Sequence, residues 1–460
     1  MKDAPNIILI MTDQQRWDCL SAAPGGWGKT PTIDRLISEG VYFEQCYCTA
    51  PSCVPSRASF FNMQWAENIG TMKNGDKWTH SWVEQFQSAG YRTYNVGKMH
   101  TQPLNAPCGF DQRFIVENKD RFFRPRYYDD WDIHLHQLGI EYPTRLTYAK
   151  RDDYGKALGA YEWSLDESLH WDPYVGRNAK WLIREHMQDK PLFMQIGFPG
   201  PHPPYDPPKR YIDMIDPDSL PEAVPMDHEN EIPAHCDYRH VMMGSADAIH
   251  WCDEPSSEQI RKIRHYYAAN MLMIDDLISE IIDVLKETGI LDNSIIIFTS
   301  DHGDSLGDHG QIQKWTMHDC ITRVPAVIWA PGRLPEGVKI DKLVQQMDLV
   351  PMIFELAGIK LDDTHDAVNA MRTLGGAKIR DYVFAEHGRC NMLQNIEKMT
   401  MVRSNDWKLV DYPGLDYGEL YNLKADPDEK DNLWNNAACS EIQAELQHQA
   451  DIFNKKGSKK

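Results

Sequence analysis

Five short, largely apolar runs constrain this chain most: NIILIM at 6–11, YRTYNV at 91–96, PLFMQIGF at 191–198, SIIIFTS at 294–300 and PAVIWA at 325–330. A strand with one wet face alternates apolar and polar side chains; a strand covered on both faces does not. The runs therefore read as buried parallel strands. Helical patterns lie between them. In EQIRKIRHYYAANMLMIDDLISEIIDVLKETG (258–289), Ile263, Met271, Ile274, Leu277, Ile281 and Leu285 follow the helical period, and Gly289 supplies a stop. Strand alternating with helix predicts an α/β fold, a large mostly parallel sheet sandwiched by helices. Beyond residue 364 the pattern changes. DYVFAE, MTMVRS, WKLVDY and GELYNL read as short strands with tight connections, followed by a helical stretch near 439. That predicts a smaller C-terminal antiparallel sheet plus helix. The expected division is a main domain over 1–364 and a small subdomain over 365–460, with 120–255 as irregular excursions over the surface.

The formal charge of −20 argues against nucleic acid as a partner, since phosphate binding needs a basic face. An anionic substrate would need a local positive island. With no run of about 18 apolar residues, no membrane span is expected. The start, MKDAPNIILIM, enters a strand at once, without the segments of a secretory leader. As it stands the chain reads as cytoplasmic, or as periplasmic or secreted if a leader was trimmed. The ten cysteines are scattered without a repeating spacing and read as reduced thiols. The sequence leaves the oligomeric state open.

In open α/β sheets, ligands bind beyond the carboxyl ends of the strands. The first run is followed by Asp13 and Gln14, the second by Lys98 and His100, the third by His202 and the fourth by Asp301 and His302. A lone strand-end Asp is ordinarily a helix cap, but four converging sets are not explained as caps. Asp13, Gln14 and Asp301 offer hard oxygens and His302 one nitrogen, a set that suits Ca²⁺ or Mg²⁺ better than zinc. Lys98, His100, His202 and Lys314 offer positive charge and protons. The combination suits an ester of an oxyanion.

The stretch APSCVPSRASFF (50–61) adds Cys53 at the start of a helical pattern. Such a thiol is inert packing, a nucleophile or the precursor of something else. A helix N-terminus attracts anions and is expected to lower a thiol pKa. Arg57, one turn on, could fork onto an oxyanion.

CVPSR resembles the Cys-x-Pro-x-Arg signature of the type I sulfatases of the alkaline phosphatase superfamily. NIILIMTDQQRWD, TPTIDRLISEGVYFEQCYCTAPSC, VGKMH, PHPPY, SDHGDSLGDHG with Lys314, DLVPMIFELAGI and WKLVDYPGLDYGELYNLKADPDEKDNL are similar to family landmarks in the expected order. The resemblance implies an alkaline-phosphatase-like sandwich and a sulfuric ester hydrolase. It implies that a formylglycine-generating maturation enzyme oxidises Cys53 to formylglycine, which acts as a hydrated aldehyde. Asp13, Gln14, Asp301 and His302, with the modified Cys53, would bind one divalent cation, most often Ca²⁺, with Mg²⁺ or Mn²⁺ able to serve. Arg57 would stabilise the nucleophile and the cation site. Lys98 and Lys314 would hold the sulfate oxygens, His100 would take the proton released as sulfate is expelled, and His202 would assist the leaving group. Two departures stand out: Gln14 where many relatives have Asp, and His302 where many have Asn. FFNM also replaces the usual LLTG after the signature. Substitution of Arg57 or Lys314 by alanine is expected to cost orders of magnitude in turnover with little effect on folding.

The expected substrate is an anionic sulfate ester, a small molecule or an oligosaccharide. A sulfated carbohydrate such as a glycosaminoglycan is preferred because RFFRPRYYDDWDIHLHQL (121–138) mixes arginines with aromatic faces that stack on sugars. Aryl or choline sulfate esters are alternatives, as is phosphonate monoester or phosphodiester hydrolysis on the same scaffold. A non-catalytic anion- or metal-binding relative would keep Cys53 as a thiol. His228, His235, Cys236, His240, His250 and Cys252 crowd one irregular segment without the paired spacing of a zinc site, and read as loop residues, some lining the cleft.

Overall fold

The computed structural model describes residues 4–117, 128–141, 143–186, 189–227, 229–244 and 249–457. Its main sheet contains β1 (Asn6–Asp13), β2 (Val41–Phe43), β4 (Arg92–Gly97), β5 (Gln112–Ile115), β6 (Leu192–Pro201), β7 (Ser294–Ser300), β8 (Ala326–Trp329) and β9 (Val338–Ile340). They lie in the order β5-β4-β6-β1-β7-β8-β2-β9. A two-residue pair, β3 (Cys46–Tyr47) with β10 (Val344–Gln345), stands apart. The four strands with chemistry at their ends, β4, β6, β1 and β7, are neighbours and mutually parallel. Their carboxyl ends therefore share one edge of the sheet. At about 4.8 Å between strands, that edge is narrow enough for the end groups to meet.

Burial explains why β1 is unbroken. Ile8 and Ile10 enter one core, and Ile7, Leu9 and Met11 enter the other. In β7, Ile296 and Phe298 alternate with Ile295 and Ile297 in the same way. Both faces are covered, and each such side chain contributes roughly 1.5–3 kcal/mol on burial. The long helix Ser257–Glu287 starts with a capping box between Ser256 and Gln259 and buries Met271, Ile274, Ile278 and Ile281.

PAVIWA is a buried strand, but it is not parallel. β8 runs antiparallel to β7 and to β2. Unbroken apolarity reports cover on both faces and carries no direction. The excursion 301–325 leaves and returns at one edge, which reverses the strand. The region 120–255 is also more regular than expected. Besides β6 it holds the helices Trp171–Glu185 and Pro233–Gly244 among its described residues. Interspersed aromatic and charged residues hide the helical period there. β2, β5 and β9 escape sequence reading because each has only three or four residues.

The C-terminal sheet is β11 (Val383–Cys390), β12 (Leu393–Arg403), β13 (Trp407–Asp411) and β14 (Glu419–Asn422), antiparallel in that order. The helix Ser440–Gly457 lays Leu446 and Ala450 on Val402, Leu409 and Leu420. Two buried devices dock this layer on the rest of the fold. The Gln345 amide donates to Phe384 O at 3.0 Å and accepts from Phe384 N at 3.0 Å. Lys408, fully buried, places Nζ 2.5 Å from Asp319 and 2.6 Å from Glu429.

Candidate active site

The strand ends bring Asp13, Gln14, Lys98, Asp301 and His302 together with Cys53, Arg57 and Lys314, and all eight side chains are almost wholly buried. A register shift between Thr12 and Asp13 breaks the β1–β6 ladder. Such a bulge re-aims the next side chain. Gln14 follows with φ of 68°, a left-handed conformation that a non-glycine residue adopts only when its surroundings hold it. Its N–H donates to Asp301 Oδ1 at 2.9 Å and its carbonyl accepts from Tyr267 OH at 2.8 Å. On the next strands, Gly97 and Gly197 approach so closely that a Cβ on Gly97 would sit 2.0 Å from Gly197 O. That approach lets Lys98 turn inward.

Cys53 is the first residue of the helix Cys53–Asn62. Its Sγ lies 2.8 Å from Lys314 Nζ, 3.3 Å from His302 Nε2 and 3.7 Å from Asp13 Oδ1. The expected lowering of the thiol pKa is not found. Burial, with Asp13 next, pushes Cys53 up to about 11 despite Lys314 and Lys98. Desolvation and a nearby carboxylate outweigh the helix terminus. As a thiol, Cys53 is a poor nucleophile at neutral pH.

Arg57 is enclosed. Its Nε donates to Asp301 Oδ2 at 2.8 Å, Nη2 to Asp13 Oδ2 at 3.1 Å and Nη1 to Lys98 O at 3.1 Å. Burial works against its charge, but Asp301 and Asp13 outweigh burial and hold the guanidinium above its ordinary pKa. Burial would likewise raise the Asp13 carboxyl. Lys98, with Nζ at 2.5 Å, then His202, Lys314 and Arg57 outweigh it, and Asp13 stays well below the carboxylate range. Three cationic side chains thus face two carboxylates, a positive island in an acidic chain.

His302 is neutral. Burial lowers it to about 4, and Nδ1 lies 2.8 Å from Gly303 O. A proton on Nδ1 donates to that carbonyl and leaves the Nε2 lone pair facing Cys53. His202 is buried, with Nδ1 2.7 Å from Pro203 O. His100 is half-buried; its backbone N–H donates to Glu117 Oε1 at 2.9 Å. Burial and then Lys98 depress His100 well below the imidazole range, so its ring is neutral.

Ligand atoms of Asp13, Cys53, Asp301 and His302 all lie within 4.8 Å of one another. Gln14 Oε1 accepts from Lys314 Nζ at 2.9 Å beside them. Hard oxygens, a neutral imidazole and complete burial fit a divalent cation.

Several supporting residues escaped sequence reasoning. Asp304 Oδ2 accepts from Gln14 Nε2 at 2.6 Å and from Tyr205 OH at 2.6 Å. That orients the Gln14 amide so that its oxygen, not its NH₂, faces the site. Ser56 Oγ donates to Asp301 O at 2.6 Å, and His387 of β11 reaches Ser52 Oγ, just before Cys53, at 2.9 Å. Asp304 lies inside SDHGDSLG and was visible as a third acidic position; His387 carried no signal, being distant in sequence. Asp304→Asn puts an NH₂ opposite the Gln14 NH₂. It is expected to weaken divalent-cation binding roughly 10- to 100-fold, read by calorimetric titration of the stripped protein, with circular dichroism unchanged.

Of the crowded histidine and cysteine segment, His228 lies outside the described residues. His235, Cys236 and His240 stand on the helix Pro233–Gly244 rather than in a loop. Residues 121–127 of the arginine–aromatic stretch also lie outside the described residues, and Asp130–Gln137 is a helix.

The sulfatase family model matches residues 5–359, and one described as N-sulphoglucosamine sulphohydrolase, C-terminal, matches 307–456. An arylsulfatase of Clostridium perfringens (strain 13 / Type A) is 27% identical over 465 residues, which span 95% of this chain and 92% of that one. The phosphonate monoester hydrolase of Agrobacterium radiobacter superposes with a TM-score of 0.80 at 22% identity, over 98% of this chain and 96% of that one. A structure solved in complex with its substrate D-glucosamine-2-N,6-O-disulfate superposes with a TM-score of 0.80 at 21% identity, over 99% and 98%.

Proposed function

The chain belongs to the sulfatase family and is a sulfuric ester hydrolase; from that premise we propose that it removes sulfate from a sulfated carbohydrate, using formylglycine derived from Cys53 and one divalent cation, Ca²⁺ before Mg²⁺ or Mn²⁺. The observation that carries the reading is Cys53 Sγ, 2.8 Å from Lys314 Nζ and grouped with Asp13, Asp301 and His302. Asp13, Gln14, Asp301, His302 and the modified residue 53 would hold the cation, which supplies Lewis-acid charge at the ester oxygens when bound. Hydrated formylglycine would offer two hydroxyls on one carbon, one available to attack sulfur and one to expel sulfate.

The remaining steps belong to the chain's own side chains. Lys98 and Lys314 bind the non-bridging sulfate oxygens and favour the extra charge of the transition state. Arg57 holds Asp13 and Asp301 in place and repels no anion. His202 gives a proton to the departing alcohol oxygen. His100, neutral and half-buried, accepts a proton at a ring nitrogen when sulfate leaves. Burial keeps bulk water from the reacting atoms.

The carbohydrate preference is supported by the match to the sulphohydrolase C-terminal model and by the relative solved with a glucosamine disulfate. Phosphonate monoesters and phosphodiesters carry the same single negative charge as a sulfate ester, so charge alone does not separate them. The test is a panel of sulfated saccharides, aryl and choline sulfates, phosphonate monoesters and phosphodiesters, followed by released anion and product mass. Sulfated saccharides are expected to show the highest kcat/KM. Faster turnover of the phosphorus esters overturns sulfate as the substrate; faster turnover of aryl or choline sulfate overturns the carbohydrate.

A further inference from the structure

The side chains of His235, His318 and Glu419 form a second cluster of ligand atoms, all within 4.8 Å of one another and apart from the active site. They come from three places in the fold: the helix Pro233–Gly244, the loop just beyond Lys314, and β14 of the C-terminal sheet. All three are buried, at 8%, 2% and 1% exposure. We propose that His235 Nε2, His318 Nε2 and a carboxylate oxygen of Glu419 bind a zinc ion, which clamps the C-terminal sheet to the loop that carries Lys314.

The spacing is that of ligands around an ion rather than of hydrogen-bonded partners. His235 Nε2 is 3.5 Å from Glu419 Oε1, and His318 Nε2 is 3.8 Å from Glu419 Oε2. Hydrogen bonds between such groups are shorter, near 2.7–3.2 Å. Two ligands bound at about 2.1 Å with a tetrahedral angle stand about 3.4 Å apart. His235 Nε2 is buried and meets Glu419 only at that longer distance, without a hydrogen bond of ordinary length. A buried polar atom left in this way ordinarily signals a missing partner.

Each ligand is also oriented from behind, as metal ligands are. His318 Nδ1 lies 3.0 Å from Thr316 Oγ1, which fixes that nitrogen and leaves Nε2 free to bind. Glu419 is held on both oxygens, by Tyr412 OH at 2.6 Å and Tyr421 OH at 2.8 Å. The His309 ring stacks on His318 at 3.9 Å. A cavity of about 40 Å³, lined by His235, His309 and His318 among others, adjoins the cluster. It has room for a water in a fourth position. Two imidazoles and one carboxylate select zinc over the calcium expected at the oxygen-rich active site.

The test uses the full chain, saturated with Ca²⁺ and equilibrated with micromolar free Zn²⁺. Metal content is read by mass spectrometry, stability by thermal unfolding, and the zinc environment by X-ray absorption. Wild type and Cys53→Ser are expected to hold about one zinc ion per chain and to unfold at a higher temperature with zinc than without. His235→Gln and His318→Gln are expected to lose both the ion and the shift. Absorption from wild type should show two imidazoles and no sulfur, a readout that stands even if a variant fails to fold. The proposal is overturned if wild type takes up no zinc, if the histidine variants keep it, or if sulfur appears in the zinc shell.

Discussion

Cys53→Ala is expected to lower sulfate-ester turnover by about 10⁴-fold or more while leaving the fold intact. The size of the effect follows from what position 53 does. In the proposed mechanism it supplies the attacking atom, and no neighbouring group replaces it. Lys314 and Lys98 are cationic, Asp13 and Asp301 are engaged by Arg57, and His302 faces Cys53 through its one free nitrogen. Residual activity would come from binding and charge stabilisation alone. The fold is expected to tolerate the change because the thiol lies in a polar cluster and fills no apolar core, and because helix 53–62 keeps its buried Val54, Ala58, Phe60 and Phe61. Thermal unfolding and circular dichroism beside initial rates check both halves. A variant within about tenfold of the parent rate would remove Cys53 from the chemistry.

Arg57→Ala is expected to cost stability as well as rate, which changes the sequence-based expectation of a fold left nearly untouched. The guanidinium is wholly buried and donates to both Asp13 and Asp301. Its removal leaves two carboxylates together in a dry site. Breaking a buried pair in this way costs about 3–5 kcal/mol. Turnover falls as well, by about 10²-fold or more, because the carboxylates that would hold the cation lose their anchor. Denaturant unfolding of the cation-free protein reads the first effect. Lys314→Ala makes a useful contrast. Its Nζ meets Gln14 Oε1 and Cys53 rather than forming an ion pair that organises the site. A rate loss with a smaller stability loss is expected there. Equal stability of Arg57→Ala and the parent would contradict the enclosure of Arg57.

The strand ends were legible because burial on both faces writes itself as unbroken apolarity, and because parallel strands put their carboxyl ends on one edge. Asp13, Gln14, Lys98, Asp301 and His302 were read from that rule, and the structure places them within one cluster with Cys53, Arg57 and Lys314. The direction of β8 was not legible, since apolarity carries no sign. The raised pKa of Cys53 is not legible either, because a helix terminus is visible in sequence and desolvation is not. Asp304 lay in plain sight but needed geometry to connect it to Gln14. His387 and the His235–His318–Glu419 cluster join residues far apart in the chain. No local pattern records such meetings; they follow from how the C-terminal sheet docks.

The most direct measurement is the mass of the peptide containing Cys53, taken from active protein made in cells that have a formylglycine-generating enzyme. Oxidation of the thiol to the aldehyde removes about 18 mass units, and sulfatase activity should rise in proportion to the converted fraction. Full activity in protein whose residue 53 is an unmodified thiol would contradict the account.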